Sequence, residues 1–257
     1  MEHFVWNADP VLISIGPLTI HWYGALFASA IFAGLYYMKW IYNQEGKDPE
    51  QLDTLLMYVV VGIILGARLG HCLFYEPEFY LSNPLKILAI WEGGLASHGG
   101  GLGAIIGAWL YCKRHQVKIM WLLDRLGIAT AVFGIFVRCA NFVNSEILGH
   151  PTDAATGIVF ARIDNIARHP AQLYEAVSYL LIALVLTWVY RTTHAKDKTG
   201  FLFGLFLVLT FTARFIIEFY KEKQAAYTLD IALNTGQLLS IPFLLIGLFL
   251  VAKAKAK

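Results

Sequence analysis

Apolar residues along this chain fall in long, nearly unbroken blocks, separated by short segments in which charges, prolines and paired glycines collect. The blocks do not show the one-sided spacing of an amphipathic helix, and a helix that crosses a bilayer needs about 20 mostly apolar residues. Seven stretches fit: Leu18 to Trp40, Leu52 to Tyr75, Leu95 to Cys112, Trp121 to Val137, Ala171 to Tyr190, Gly200 to Tyr220 and Thr235 to Ala252. The predicted fold is all-α, a polytopic membrane helix bundle of about seven transmembrane helices forming a single integral membrane domain over residues 1–257. No ten-residue segments alternate with period two, which argues against an outer-membrane barrel.

Between the blocks, two extramembrane segments stand out. Cys139 to Pro170 carries turn signals at Gly149, Pro151 and Gly157 and a β-like run from Gly157 to Ile163, so residues 139–170 are expected as a small outward cap between the fourth and fifth spans. Glu76 to Gly94 contains Pro77, Pro84, Trp91 and a Gly-Gly pair, which suits an interfacial or re-entrant element with an aromatic anchor. Two spans carry glycine at four-residue spacing, Gly62, Gly66 and Gly70 on one and Gly99, Gly103 and Gly107 on the other. Glycine on one helix face lets backbones approach closely in lipid, so these two helices are expected to pack at the centre of the bundle.

Composition sharpens the class. The 257 residues are 58% hydrophobic and 15% charged, with a mean hydropathy of +0.58. The amino end has acidic residues and neither Lys nor Arg before the first span, and no cleaved leader is expected. The positive-inside rule then places the amino end outside and, after seven spans, the carboxyl end in the cytoplasm. Inward segments carry eleven Lys and Arg residues against six in outward ones, and the AKAKAK tail is expected against anionic lipid. Cys72, Cys112 and Cys139 are far apart and lack CxxC spacing, so neither a zinc site nor a disulfide framework is supported, and no nucleic-acid motif accompanies the net charge of +2.

With this topology, the polar residues inside the spans gather at one level, toward the outward ends: Tyr23, Arg68, His98, Arg138, Tyr174, Glu175, Arg214, Glu218 and Gln237. A charge at the bilayer centre costs roughly 2.5–3.5 kcal/mol even on lenient insertion scales, so intramembrane Arg and Glu mark a candidate site. Each has a plainer reading. Arg214 and Glu218 are spaced to pair along one helix face, Arg68 and Arg138 could snorkel, His98 could be structural, Tyr23 could belong to an aromatic belt, and Asn141 and Asn144 could cap turns. Random snorkelling would decorate both leaflets, however. Two or three guanidiniums with a histidine, a tyrosine and a carboxylate suit a phosphate held by bidentate Arg, and the outer leaflet supplies one in a phospholipid headgroup. A lipid or anion transporter also needs intramembrane Arg, but the inner half of the spans is almost free of ionisable residues, apart from Asp124 and Arg125 near the inner end. HGGG at His98 to Gly101 has no GxSxG partner, and Ser97 lacks an independently placed base, so lipase and serine-protease readings find little support.

The same residues carry a resemblance. HWYG at His21 to Gly24, GARLG at Gly66 to Gly70, HGG at His98 to Gly100, RCANFVNSEILG at Arg138 to Gly149, RHPAQLYE at Arg168 to Glu175, ARFIIEF at Ala213 to Phe219 and GQLLSIP at Gly236 to Pro242 follow one another as in the phosphatidylglycerol-prolipoprotein diacylglyceryl transferases, which the chain resembles over most of its length. The resemblance implies transfer of the diacylglyceryl group of phosphatidylglycerol to the lipobox cysteine thiol of a preprolipoprotein, in the bacterial inner membrane with the active site toward the periplasmic leaflet. A thioether forms and glycerol 1-phosphate leaves. The implied partners are phosphatidylglycerol, lipobox signal peptides and membrane lipid, with no nucleic acid, no metal and no organic cofactor; a monomer is expected. The carried-over positions are Tyr23, His98, Arg138, Asn141, Glu146, Gly149, Arg214 and Glu218. Arg138 and Arg214 would hold the phosphate, His98 would be the base, Glu146 and Glu218 would orient the arginines, and Tyr23 and Asn141 would position the headgroup. Asn144 of the signature and Arg68 of the polar layer are added as substrate-binding candidates. The chain departs from the family pattern at Val137, Ala140 and Ser145, where glycine is usual, and at His71, where tyrosine is common.

Overall fold

At the amino end, Val11 to Ile20 is mostly apolar and rich in β-branched residues on either side of Gly16 and Pro17, and it folds as a hairpin. The computed structural model describes residues 3–222 and 233–254, without the side chains of Glu92, Ser97 and His98. Lys223, Lys255 and Lys257, counted in the charge balance, lie outside the described residues. Strand β1 (Phe4–Trp6) is followed by β2 (Val11–Ile15) and β3 (Leu18–His21), which pair antiparallel about a turn with Gly16 at φ 58°. The first span expected from Leu18 therefore begins as a strand, and the helix α1 runs over Trp22–Gln44. A short apolar run cannot be assigned to strand or helix by hydrophobicity alone, and here Thr19, Ile20 and the Gly-Pro turn favour the strand.

Seven further helices follow: α2 (Gln51–Phe74), α3 (Pro77–Ser82), α4 (Ser97–Arg114), α5 (Ile119–Val143), α6 (Ala171–Thr192), α7 (Phe201–Ile217) and α8 (Thr235–Lys253). Among the described residues six helices are long and apolar enough to cross a membrane: α1, α2, α5, α6, α7 with its 3-10 extension to Tyr220, and α8. The stretch expected as the third span coincides with α4, an 18-residue helix whose glycines and terminal Lys113 and Arg114 dilute its apolar character. The chain is a multi-pass helical membrane protein.

The fold has two compact units, residues 39–122 and residues 1–38 with 123–257. In the first, α2 and α4 pack backbone to backbone along the two glycine stripes. A Cβ at Gly62 would overlap the Gly103 carbonyl, one at Gly66 would overlap that of Gly99, and one at Gly107 would overlap that of Tyr58. The segment after α2 forms α3 and two 3-10 turns, Pro84–Leu88 and Ile90–Glu92, with Leu81, Leu85, Leu88 and Trp91 exposed.

In the other unit, α7 and α8 meet at a second pair of glycines: a Cβ on Gly204 would lie 2.9 Å from the Gly247 carbonyl oxygen, and one on Gly247 2.8 Å from that of Gly204. Phe211 stacks on Phe243 with ring centroids 4.6 Å apart. The amino end of α7 is capped from α5: Asp124 Oδ2 accepts from Gly200 N at 2.8 Å and Oδ1 from Phe203 N at 2.9 Å. These are the orphan donors of a helix start, and Asp124 is buried. Asp124→Ala is expected to lower stability by about 2 kcal/mol, the upper end for a lost cap because the freed donors are buried. Asp124→Asn, keeping one acceptor, should lose less. Thermal unfolding in detergent measures both, and equal midpoints for all three proteins would contradict the capping role.

The segment 139–170, expected as a cap, begins as helix, because α5 continues to Val143 and keeps Arg138 and Asn141 on a helix. Their polar groups are bonded to one another and to neighbours, so the helix need not end where they begin. The cap itself holds β4 (Ile158–Phe160) and β5 (Ala167–Arg168), which join β1 in a three-stranded sheet of order β1-β4-β5, with β1 and β4 parallel and β4 and β5 antiparallel. Arg168 ties the cap together through Asp164 at 2.6 Å, through Glu222 and through the Gly149 carbonyl at 3.4 Å. The guanidinium beside Asp164 holds its carboxyl below the usual carboxylate range.

Candidate functional site

The last turn of α5, the first turns of α6 and the end of α7 bring buried charges together. On α5, Arg138 meets Glu175 of α6, Nε to Oε2 at 2.9 Å, and its Nη1 donates to Asn141 Oδ1 at 3.1 Å, one turn along the same helix. Asn141 Nδ2 in turn donates to Glu146 Oε2 at 3.1 Å, and Asn144 Nδ2 to Glu146 Oε1 at 2.6 Å. Glu146 is thus the acceptor for both asparagines, and its backbone carbonyl accepts from Gln172 Nε2. The arginine is oriented by Glu175 and Asn141 directly, and by Glu146 through Asn141. This arrangement needs a tight reversal after α5, which Ser145 (φ 57°) and Ile147 (φ 56°) supply in the left-handed region. A β-branched residue there is strained, and the surrounding hydrogen bonds hold it.

Glu175 also faces Lys221, Oε1 to Nζ at 3.3 Å, and Lys221 reaches Glu218 Oε2 at 3.5 Å. Arg138, Glu175, Lys221 and Glu218 form a chain of alternating charge with every member largely buried. Alternation is what makes such a chain tolerable, since an unpaired charge at this depth costs several kcal/mol. Lys221 is placed by its backbone, which bridges Gly149; there Glu222 N donates to Leu148 O at 3.1 Å and His150 N to Tyr220 O at 2.8 Å. A Cβ on Gly149 would fall 2.7 Å from the Tyr220 carbonyl oxygen and from His169 Cβ, so Gly149 serves the close approach of these strands.

Arg214 differs from every other cation of the group. It has no hydrogen-bond or ion-pair partner among the described residues, and the pairing that its spacing from Glu218 suggests is not made. It lines a narrow crevice of about 10 Å³ between two helix faces, Glu175, Ser178, Tyr179 and Ile182 on α6 and Thr210, Ala213, Arg214 and Ile217 on α7. Both sets follow i, i+3, i+4, i+7 spacing, so each is one stripe of its helix. Thr210 Oγ1, in the same cleft, is buried without a hydrogen-bond partner. An uncommitted guanidinium and an unsatisfied hydroxyl, in a cleft whose one carboxylate, Glu175, is already paired with Arg138 and Lys221, suit an anionic ligand with an oxygen-rich head.

The remaining candidates lie elsewhere or are already occupied. Tyr23 is in the first turn of α1, stacked on Phe27, which meets Phe133 of α5 edge-on at 5.4 Å. Arg68 is buried in the 39–122 unit, where Nε donates to Ile87 O at 2.9 Å, Nη2 to Lys86 O at 2.5 Å and Nη1 to the Gly93 and Gly94 carbonyls, with Tyr80 at 5.0 Å from the guanidinium. Its donors clasp the interfacial segment, which leaves a substrate-binding role without support. His98 opens α4, and its side chain lies outside the described residues. Sequence reasoning gave no role to Lys221, Gln172 or Thr210 and did not pair Glu175 with Arg138. Glu175 and Gln172 belong to RHPAQLYE, and Lys221 stands three residues after Glu218, so spacing carried a signal for each.

The model of the family described as prolipoprotein diacylglyceryl transferase matches residues 10–253. The chain belongs to that family. Relatives named phosphatidylglycerol–prolipoprotein diacylglyceryl transferase include those of Tolumonas auensis, 55% identical over 98% of this chain and 99% of the relative, and of Chloroherpeton thalassium, 42% identical over 97% and 94%. That of Bacteroides fragilis is 43% identical over 95% and 92%.

Proposed function

We propose that this chain transfers the diacylglyceryl group of phosphatidylglycerol to the lipobox cysteine of a preprolipoprotein, and that the cleft carrying Arg214 receives the lipid headgroup. The supporting observation is the unpaired Arg214 guanidinium beside the unsatisfied Thr210 hydroxyl, in a family whose relatives are named for this reaction. Arg214 binds the phosphate bidentately, and Arg138, held by Glu175 and Asn141, is a second cation for the negative charge that grows on the departing group. The cysteine sulfur forms a bond to the glycerol carbon, the bond from that carbon to the phosphate oxygen breaks, and glycerol 1-phosphate leaves with the bonding pair. The thiol proton passes to a base, the role that His98 takes; a thiol of pKa about 8.5 is only a few per cent ionised at neutral pH. The chain works as a monomer with seven spans, its amino end outside, and with its site open to the periplasmic leaflet of the inner membrane.

Purified protein, labelled phosphatidylglycerol and a lipobox peptide test this directly. Thioether peptide and glycerol phosphate are expected in equal amounts with the cysteine peptide and neither with its Cys→Ser variant. Product from the serine peptide, or none from the cysteine peptide in active membranes, overturns the proposal. His98→Gln is expected to lower turnover by about 10²–10⁴-fold and to remove the acid limb of the pH profile, as loss of a general base does. Near-normal turnover with an unchanged profile would make His98 structural.

A further inference from the structure

Arg214 and Glu218 are four residues apart near the end of one helix, a spacing that normally pairs them. The helical turn between them is intact, since Glu218 N donates to Arg214 O, so the cause of their separation lies in the side chains. The Glu218 carboxylate is held from two sides. Lys221 Nζ lies 3.5 Å from Oε2, and the carboxylate packs so closely on the first turn of α8 that a Cβ added to Gly236 would overlap it. A helix amino end favours a carboxylate, and Asn234 Nδ2 fixes the Glu218 carbonyl at 3.2 Å. Lys221 is in turn anchored by the backbone bridge to Gly149.

We infer that Lys221 is a positioning residue which, by drawing Glu218 toward itself and the Gly236 turn, keeps the Arg214 guanidinium unpaired and available to an anionic ligand. The inference deepens the proposed function, since the ligand there is the phosphate of phosphatidylglycerol. It also gives Gly149 and Gly236 a shared purpose: one lets the Lys221 strand approach the cap, and the other makes room for the carboxylate. Without Lys221, the four-residue spacing offers Arg214 to Glu218 as a cation, and the ligand then competes with an internal carboxylate for its own binding group.

The test reads Arg214 directly. Full-length protein in phosphatidylcholine vesicles is treated with phenylglyoxal, and the adduct on Arg214 is followed by mass spectrometry. The wild type should label and be protected when phosphatidylglycerol is included; Lys221→Met should resist labelling, and Lys221→Met with Glu218→Gln should label again. Gly236→Ala, which dislodges Glu218 from the other side, should resemble Lys221→Met, and it carries the test if Lys221→Met fails to fold. In the transfer assay, Lys221→Met is expected to raise KM for phosphatidylglycerol by about tenfold with a smaller change in kcat, Lys221→Arg to stay near the wild type, and the double variant to recover. Unchanged Arg214 labelling in both Lys221→Met and Gly236→Ala, or a double variant no better than the single one, overturns the inference. A wild type that labels as expected but makes no thioether overturns the transferase proposal and leaves the positioning role standing.

Discussion

Arg214→Gln lowers kcat/KM for diacylglyceryl transfer by on the order of 10²–10³-fold, the loss typical when one preorganised donor to a developing oxyanion is removed from a dry site. It does so without lowering the thermal midpoint, because Arg214 has no protein partner among the described residues to abandon. Arg138→Gln provides the contrast. There the substitution leaves two buried carboxylates, Glu175 and Glu218, to share Lys221, and breaking a buried pair from one side costs up to roughly 3–5 kcal/mol. Arg138→Gln therefore loses activity and stability together, whereas Arg214→Gln loses activity alone. Measuring kcat/KM and unfolding in the same detergent, with no phosphatidylglycerol present during unfolding, separates the two. A midpoint for Arg214→Gln as low as that for Arg138→Gln would mean that its guanidinium braces the fold and does not wait for a ligand.

The difference between these two arginines also marks where sequence reasoning stops. Long apolar blocks and the two glycine stripes predict a helical membrane bundle and the α2–α4 contact, because lipid imposes one solution on backbone polarity and glycine faces have one obvious use. The signature from Arg138 to Gly149 is equally visible as a polar run leaving a span. What spacing does not carry is the choice among partners once several charges share a layer. Arg214 and Glu218 read as a pair, yet Lys221 and the close-packed turn at Gly236 redirect the carboxylate. Arg68 reads as a third phosphate ligand, yet backbone carbonyls of the Lys86–Gly94 segment occupy it. Both outcomes depend on which segments the fold brings into contact, and neither is a property of residue type. The Val11 to His21 hairpin fails to announce itself for a simpler reason: its apolar residues merge with those of the span that follows.

The glycine stripes lead to the sharpest structural contrast in the chain. Gly101 and Gly103 are two residues apart on α4, and both should gain helix propensity on replacement by alanine, about 1 kcal/mol on peptide scales. Their surroundings reverse the sign at one of them. A Cβ at Gly101 would meet nothing within 4 Å, while one at Gly103 would overlap the Gly62 carbonyl and crowd Gly66 Cα at 3.1 Å. Backbone atoms on the facing helix cannot rotate aside as a side chain could, so α2 and α4 must separate along the contact, and Gly62, Gly66, Gly99 and Gly107 lose their approach with it. Overpacking a core commonly costs about 1–3 kcal/mol, and a clash against backbone belongs at or above the top of that range. Gly101→Ala is accordingly expected to leave the thermal midpoint level or slightly raised, and Gly103→Ala to lower it sharply, with poor yield of folded protein from membranes. Cross-linking of cysteine pairs placed along α2 and α4 would report the separation itself. Two alanine variants of equal stability would show that this interface yields easily, contrary to a contact built from facing backbones.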